Sequence, residues 1–168
     1  MPYIVPYVGS RAYDLVWGTA LRTTTIAHRF LDKISGGRLM RRFPGGAQVV
    51  WITTLGRKSG QWRRTPLLGV PVDADGLRGW GIAGSNAGQE KMPGWVFNVQ
   101  ANPSGSIQID DEIFECTFTQ VDGALAREIY ERLGDSWSSY RMYERNIQRS
   151  IPVFVAQFED SNATSEPS

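Results

Sequence analysis

A series of short apolar runs separated by turn residues fills most of this chain and constrains its fold more than any other feature. The first run, 48–54, is rich in β-branched residues, and the turn Gly56–Gly60 separates it from a second run at 65–72. Asp73–Gly76 marks the next turn, and a third strand is expected over 77–84. Because tight turns join strands that pair antiparallel, these runs predict an antiparallel sheet.

The second half of the chain alternates between helices and strands. The expected elements are a helix over 93–99, a hairpin of strands 107–109 and 113–121, helices from Asp122 and over 136–149, and a last strand over 151–158. Leu125, Ile129 and Leu133 recur at helical spacing and predict a buried face, with Asp122 as the N-cap. Six strands with interspersed helices favour an α+β fold whose sheet closes into a barrel and leaves few free edges.

The N-terminal segment is predicted to be a separate helical extension. Residues 11–35 combine apolar positions with basic residues, and Gly36–Gly37 would end the helix. A basic amphipathic helix suits either an anionic lipid surface or packing against the barrel or a second subunit, and we favour packing. The polar tail 160–168 is expected to be flexible. The chain thus divides into the extension 1–35, a domain over 36–159 and the tail.

Composition and charge exclude several classes of protein. The chain has 168 residues, enough for one domain with a hydrophobic core, and its formal net charge of +1 argues against a dedicated nucleic-acid binder. With Cys116 as its one cysteine and His28 as its one histidine, it has little from which to build a zinc site or a Cys–His pair. The lone cysteine, in an alternating pattern, fits a buried thiol in a reducing cytoplasm. We expect a cytoplasmic protein without a metal site.

A cluster of cations marks the first predicted hairpin. The turn 56–60 contains Arg57, Lys58 and a hydroxyl, and Arg63 and Arg64 follow on the same hairpin. Backbone amides with adjacent cations make good anion cradles, and arginine adds planar bidentate contacts to phosphate. The glycine spacing is not that of a Walker loop. Taken alone, a basic hairpin is more often a solvated surface turn, so both interpretations stay open.

Two other segments have the composition of a pocket wall. The loop 83–88 consists mostly of small residues, so its amides would let a phosphate or a ring edge approach, although a plain connection fits equally well. Trp137, Tyr140 and Tyr143 recur at helical spacing. Such a stripe is usually core, but polar-tipped aromatics also suit a pocket for a planar guest. The chain shows no hydrolase or metal motif, which favours a protein whose cofactor carries the chemistry.

Seven stretches of the sequence, taken in order, carry a family resemblance. They are Thr53–Gly60, Arg63–Leu67, Ala83–Asn86, Pro93–Trp95, Asn98, Ala101–Pro103 and Ile151–Val153. In this order and spacing they resemble the deazaflavin-dependent nitroreductase family, the actinobacterial quinone reductases that use coenzyme F420. The resemblance covers about residues 36–159. It implies a split β-barrel of about six antiparallel strands with flanking helices, related to the flavin-binding barrels.

The resemblance also implies an activity and roles for individual residues. The activity is hydride transfer from reduced F420 to a quinone or nitroaromatic acceptor. The implied cofactor-binding residues are Lys58, Arg63, Thr65, Pro66, Leu67, Ala83, Ser85, Asn86, Trp95 and Asn98, and the implied substrate pocket is Leu68, Trp137, Tyr140 and Tyr143. Lys58 and Arg63 would hold the phosphate and acidic tail of the cofactor. Ser85, Tyr140 and Tyr143 are the candidate catalytic residues, because a hydroxyl can donate a hydrogen bond or a proton as charge develops.

Several alternatives stay open on the sequence. The same barrel could bind FMN or haem, since the basic hairpin would serve any phosphate; it could be a non-catalytic cofactor- or lipid-binding module; or Arg57–Arg64 could bind nucleic acid. Departures from the family pattern lie mainly on the oxidant side, where Leu68 and Trp137 replace frequent tyrosines. Ala87 stands in place of a glycine. A homodimer and peripheral contact of residues 11–35 with the inner face of the plasma membrane are further expectations.

Overall fold

Six antiparallel strands close into a barrel in the order β1-β2-β3-β6-β5-β4. The computed structural model describes residues 47–158. The strands are β1 (Val49–Leu55), β2 (Trp62–Ala74), β3 (Leu77–Ala83), β4 (Ser104–Ile109), β5 (Glu112–Val121) and β6 (Val153–Phe158). The predicted α+β fold with a six-stranded antiparallel barrel is confirmed. The predictions for residues 1–35 and 160–168 fall outside the described residues.

Within residues 47–158, three α-helices flank the barrel, and one of them differs from its prediction. They are α1 (Gly94–Ala101), α2 (Gly123–Ser136) and α3 (Tyr140–Asn146), and a 3-10 turn covers Asn86–Gly88. The helix predicted over 136–149 is wrong at both ends. Residue 136 still belongs to α2, because the chain turns extended only at Trp137 (φ −148°, ψ 103°). At the other end, extended backbone at Ile147 (φ −117°, ψ 147°) stops α3.

The N-cap predicted for α2 is only partly correct. Asp122 occupies the N-cap position, but its side chain makes no capping hydrogen bond. Gly123 follows with φ +63°, a left-handed conformation that glycine adopts without a steric penalty. The sharp entry into α2 therefore depends on the glycine, and the aspartate does not supply the hydrogen bond that its residue type suggested.

Side chains that point into the barrel form the first hydrophobic core. Alternate residues of the strands are fully buried there, including Val50, Ile52, Ile82, Ile107, Phe154 and Cys116. Helix α1 adds Trp95, Val96 and Val99 to the same core. The buried thiol predicted for Cys116 is confirmed. Each fully buried aliphatic or aromatic side chain stabilises the fold by roughly 1.5–3 kcal/mol, so this core holds the barrel closed.

The outer face of the barrel carries a second core beneath α2. Leu125, Ile129 and Leu133 form the buried face of that helix, as their spacing predicts, and they pack over residues such as Val72 and Val155. Gly81 on β3 lets the helix approach closely, because a Cβ atom there would lie 2.6 Å from Ile129 Cγ2. Helix α2 thus fixes where α3 and its aromatic residues meet the sheet.

Strand β2 changes partners halfway along its length. Residues 62–68 pair with β1, and residues 69–74 pair with β3. Pro66 lies in the first part and Pro71 in the second. Proline has no N–H to donate, but a strand tolerates it where the strand has a partner on one side only. Within the described residues no strand pairs with the second edge of 62–68. This edge of 62–68, which has no strand partner among residues 47–158, is called the open edge of β2 below.

The glycine at residue 105 provides a test of how closely the strands approach. Its substitution by alanine would place Cβ 2.3 Å from the Thr53 carbonyl oxygen in the neighbouring strand. We expect Gly105→Ala to lower the free energy of unfolding by roughly 1–3 kcal/mol, because overpacking forces backbone shifts. Urea unfolding measures the difference. Gly94→Ala is the control, since nothing lies within 4 Å of its new Cβ, and equal losses in both variants would contradict the assignment.

Candidate functional site

The basic hairpin (residues 56–64) has a tightly hydrogen-bonded tip. The amide of Gly60 donates to the Gly56 carbonyl over 2.8 Å, and the Gly56 amide donates to the Gln61 carbonyl over 2.9 Å. Arg63 Nη2 donates to Ser59 Oγ over 3.2 Å, which draws that guanidinium back over the tip. Arg57, Lys58 and Arg63 are exposed, so three positive charges surround a short, well-defined turn.

Helix α1 anchors the base of the basic hairpin. The Asn98 side chain accepts a hydrogen bond from the Arg57 amide (3.2 Å) and donates one to Thr54 Oγ1 (3.3 Å). The Arg57 guanidinium lies over the Phe97 ring, 4.8 Å from its centroid, which suits a cation–π contact. Asn98 and Thr54 are buried, so these hydrogen bonds are shielded from water. The hairpin is therefore held in place by α1 and is not a freely solvated turn.

The site loop (residues 84–89) leaves the sheet beside the open edge of β2. Since Gly69 pairs with Ile82, β3 ends at the level where β2 changes partners, and the loop begins there. Asn86, Ala87 and Gly88 all have positive φ values, of 49°, 53° and 75°. Two of these three are non-glycine residues in the left-handed region, which is disfavoured for L-amino acids. The loop is thus a strained segment held by its surroundings, and such strain clusters at functional sites.

Arg149 holds the site loop by hydrogen bonds to its backbone, a role that no sequence motif indicates. It was expected to end a helix, yet its guanidinium donates to the carbonyls of Gly84 (3.0 Å), Ser85 (2.9 Å) and Gln89 (2.8 Å). Burial lowers the pKa of Arg149, and the nearby Glu90 carboxylate opposes that shift. Glu90 also accepts a hydrogen bond from the Gln148 amide over 2.7 Å. These contacts tie both ends of the loop to the segment before β6.

The aromatic wall (Trp137, Tyr140 and Tyr143) contacts the site loop through Tyr143 and Tyr140. A Cβ atom on Gly88 would lie 2.6 Å from Tyr143 Cδ1, so this ring rests directly on the loop backbone. The rings of Tyr140 and Tyr143 are 5.5 Å apart, and Tyr130 lies edge-on to Tyr140 at 5.6 Å. Leu68 belongs to the same apolar cluster. The four residues predicted for the substrate pocket therefore lie together.

The phenols of this cluster are neutral at physiological pH. Burial raises the pKa of Tyr140 to about 12, with a hydrogen bond from the Ser85 side chain acting in the opposite direction. Burial also raises the pKa of Tyr130 and Tyr143. Ser85 and Tyr140 are 5% and 6% exposed, so the two hydroxyls meet in a largely dry environment. Such groups can donate hydrogen bonds but do not act as bases near neutral pH.

The predicted cofactor residues fall into three groups. Lys58 and Arg63 lie on the basic hairpin; Thr65, Pro66 and Leu67 lie on the open part of β2; and Ala83, Ser85 and Asn86 lie at the start of the site loop. Trp95 and Asn98 lie on α1 and are buried. Trp95 packs into the barrel interior against Phe154, with ring centroids 5.5 Å apart. The first three groups border one another, whereas Trp95 and Asn98 contact the protein interior.

Gln89 is a second residue that sequence analysis did not single out. Its side chain is 7% exposed, and its Nε2 donates no hydrogen bond within the part of the chain that the structure describes. Its Oε1 accepts a hydrogen bond from Asn86 Nδ2 over 3.2 Å. No motif signal distinguishes this glutamine from a surface residue, because its burial follows from the path of the loop.

Neither a metal-binding cluster nor a membrane-spanning helix occurs in residues 47–158. No cluster of three or more histidine, cysteine, aspartate or glutamate side chains in this range is placed to hold a metal ion. No helix in the same range is long and apolar enough to cross a membrane. The polar groups described so far in residues 47–158 are the cations of the basic hairpin, the backbone and side-chain groups of the site loop, and the phenols of the aromatic cluster.

Comparison with known proteins identifies the family. The family model described as F420H(2)-dependent quinone reductase matches residues 22–157, most of the chain. The chain belongs to this family. F420H(2)-dependent quinone reductase Rv1261c of Mycobacterium tuberculosis is 30% identical over 132 residues, which span 76% of this chain and 85% of that protein. The chain is accordingly an F420-dependent reductase, and coenzyme F420 is its cofactor.

Solved structures agree with the family assignment. A structure of an F420-H2 dependent reductase, FDR-A, matches with a TM-score of 0.56 and 32% identity, over 65% of this chain and 93% of that chain. A structure described as a domain-swapped dimer matches with a TM-score of 0.59 and 28% identity, over 83% and 98% of the two chains. The resemblance inferred from the sequence motifs is thus confirmed, and FMN, haem and a non-catalytic role are no longer needed as explanations.

The raised pKa of Tyr140 predicts how stability responds to alkali. An unfolded tyrosine ionises near pH 10.0, whereas the folded phenol stays protonated to about pH 12. The contribution of Tyr140 to the free energy of unfolding is therefore fully present below pH 10. It decreases between pH 10 and 12, by roughly 1.4 kcal/mol per pH unit for this one group. In Tyr140→Phe we expect a shallower fall in urea-unfolding series across this range. Identical slopes in the wild type and the variant would contradict the burial assigned to this phenol.

Proposed function

We propose that this F420-dependent reductase reduces a flat quinone, and nitroaromatic compounds of similar shape, in a pocket between the open edge of β2, the site loop and the aromatic wall. The observation that carries the proposal is the direct contact of the aromatic wall with the loop, through Tyr143 on Gly88 and Tyr140 beside Ser85. Aromatic side chains with polar tips suit a planar acceptor that carries oxygen atoms at its edge.

The basic hairpin fits the acidic part of the cofactor. Among the described residues, Arg57, Lys58 and Arg63 form no ion pair with a carboxylate, and none is buried. Free cations at the tip of a hydrogen-bonded turn are suited to a phosphate and the acidic groups attached to it. Lys58 and Arg63 would therefore hold the phosphate and tail, as the family resemblance implies.

The open edge of β2 and the site loop fit the flat part of the cofactor. Thr65, Pro66 and Leu67 lie on the stretch of β2 that has a single strand partner among the described residues, so backbone groups on its other edge can face a ligand. Ser85 and Asn86 follow at the adjacent loop. The buried donor on Gln89, unsatisfied within residues 47–158, adds a polar atom beside this loop.

The residues of the aromatic wall and loop supply positioning and protons. Reduction of a quinone to a quinol needs a hydride and a proton, and bound reduced F420 supplies the hydride. Ser85 and Tyr140 hold neutral hydroxyls that can donate hydrogen bonds to an acceptor oxygen as negative charge develops on it. The high pKa of Tyr140 keeps its proton in place until that charge appears. Burial of both groups excludes water from their surroundings.

The acceptor is tested directly by mixing the protein with reduced F420 and menadione under anaerobic conditions. We expect the absorbance of oxidised F420 to return at a rate proportional to protein concentration. A parallel reaction with a reduced nicotinamide should show no comparable oxidation, because the family uses F420. If reduced F420 is oxidised by none of a panel of quinones and nitroaromatics, the acceptor proposal is wrong, while the cofactor assignment stands on binding alone.

The proposed grip on the acidic tail is tested by removing two charges. We expect Lys58→Ala/Arg63→Ala to weaken binding of oxidised F420 by more than about 100-fold, because each charge-assisted hydrogen bond contributes roughly 1.5–3 kcal/mol. Fluorescence titration of F420 measures the dissociation constant. Arg78→Ala/Arg132→Ala loses the same net charge at an exposed position on β3 and a half-buried position on α2, and should bind normally. Equal affinities for the two double variants would refute the assignment.

Two further parts of the proposal concern partners. The basic segment 11–35, which lies outside the described region, would allow contact with an anionic membrane surface as the alternative to the packing that we favour. The relative described as a domain-swapped dimer favours a homodimer for this chain as well. Flotation with anionic and neutral vesicles, and sedimentation of the full chain, distinguish membrane contact from self-association.

A further inference from the structure

Arg149 makes more hydrogen bonds to backbone than any other side chain for which the structure gives contacts. Its Nε and Nη2 atoms both donate to the Gln89 carbonyl, over 3.1 and 2.8 Å. Nη2 also donates to the Ser85 carbonyl over 2.9 Å. Nη1 donates to the carbonyls of Gly84 (3.0 Å) and Ser150 (3.2 Å). Nη1 further approaches Met92 Sδ at 3.6 Å. The rigid fork of donors in arginine matches this set of carbonyls, and a lysine ammonium could not reach them all.

These contacts dictate where the amides of the site loop point. A trans peptide unit is planar, and its C=O and N–H point in opposite directions. Since the Gly84 and Ser85 carbonyls face Arg149, the N–H groups of Ser85 and Asn86 face away from it. Neither amide donates a hydrogen bond to another described residue. Two adjacent donors are thus presented on the side of the loop that is remote from the guanidinium.

The strain in the loop explains why so many contacts are needed. Asn86 and Ala87 both have left-handed backbone conformations (φ 49° and 53°), which side-chain-bearing residues avoid. Asn86 Nδ2 donates to the Lys91 carbonyl over 2.8 Å and supports the same turn. Strained conformations persist only where the surrounding structure over-determines them. Arg149 grips the loop on both sides of the strained residues, at Gly84 and Ser85 and again at Gln89.

We propose that Arg149 is a positioning residue of the F420 site, which aims the Ser85 and Asn86 amides at the bound cofactor or acceptor and polarises them from behind. The inference rests on the proposed function for the location of the site. The guanidinium withdraws electron density from the two carbonyls, so the N–H groups of the same peptide units become better donors. Arg149 therefore acts through the loop and does not itself touch the cofactor.

The first test is substitution of Arg149 by lysine, which keeps the charge and loses the planar fork. We expect kcat with reduced F420 and menadione to fall on the order of 100-fold, as for the loss of a preorganised backbone donor, with KM for menadione changed by less than about threefold. Arg78→Lys, on the exposed surface of β3, is the matched control and should retain wild-type kinetics. A structural defect alone would lower the melting temperature and the active fraction, and kcat expressed per F420-binding site would then stay near the wild-type value.

The second test uses Arg149→Ala and a soluble guanidinium. Ethylguanidinium, at concentrations below those that unfold the wild type, should restore part of kcat in Arg149→Ala and leave wild-type activity unchanged. Ethylammonium, which has the same charge without the fork, should restore much less. Equal rescue by the two cations, or no rescue in a folded variant, overturns the positioning role.

The third test needs no substitution and no turnover. Amide hydrogen exchange at Ser85 and Asn86 in the wild-type protein is measured with and without oxidised F420, which reports contact with the cofactor even if the variants fail to fold. We expect both amides to exchange at least about tenfold more slowly in the complex, since they become hydrogen bonded or shielded. Unchanged exchange at saturating F420, combined with Arg149→Lys kinetics like those of Arg78→Lys, overturns the inference. Failure of the wild type to oxidise reduced F420 overturns the acceptor proposal instead.

Discussion

The change of partner along β2 is the structural constraint on which the site depends. A strand of 13 residues pairs with β1 over its first half and with β3 over its second, so residues 62–68 have one edge without a strand partner among residues 47–158. Pro66 and Pro71 tolerate this arrangement because each lies where only one neighbour is present. The basic hairpin stands at one end of that stretch and the site loop leaves the sheet at the other. A barrel with full pairing would leave no such edge.

The charged groups and the neutral hydroxyls of the site lie in different surroundings. The cations of the basic hairpin stay exposed, where they are able to meet an anionic tail, while the phenols beneath the loop are buried and neutral. Arg149 is charged and partly buried. Its guanidinium donates hydrogen bonds to backbone carbonyls and lies near the Glu90 carboxylate, and both stabilise its charge. This layout lets an acidic group bind on the outside and keeps water from the hydroxyls inside. Both properties suit a reductase whose cofactor performs the chemistry.

Elements with local or periodic signals in the sequence were predicted correctly, whereas contacts between distant segments were not. The alternation of β1, the helical spacing of Leu125, Ile129 and Leu133, and the glycines of the first hairpin each predicted their elements correctly. The long helix expected after Ser136 was wrong, because its apolar pattern continues through a bend at Trp137. Arg149 was taken as a helix residue, since nothing nearby in sequence shows that Gly84 and Gln89 lie within reach.

The sequence by itself determined the fold class, the positions of the strands and turns, the basic hairpin and, through its ordered motifs, the family. These follow from local propensity, periodicity and turn chemistry, which a linear chain already contains. The change of strand partner along β2, the contact of Tyr143 with Gly88 and the hydrogen bonds from Arg149 to the site loop appear only in the tertiary structure. Each of these depends on a contact across tens of residues, and such contacts exist only after the barrel closes and brings the segments together.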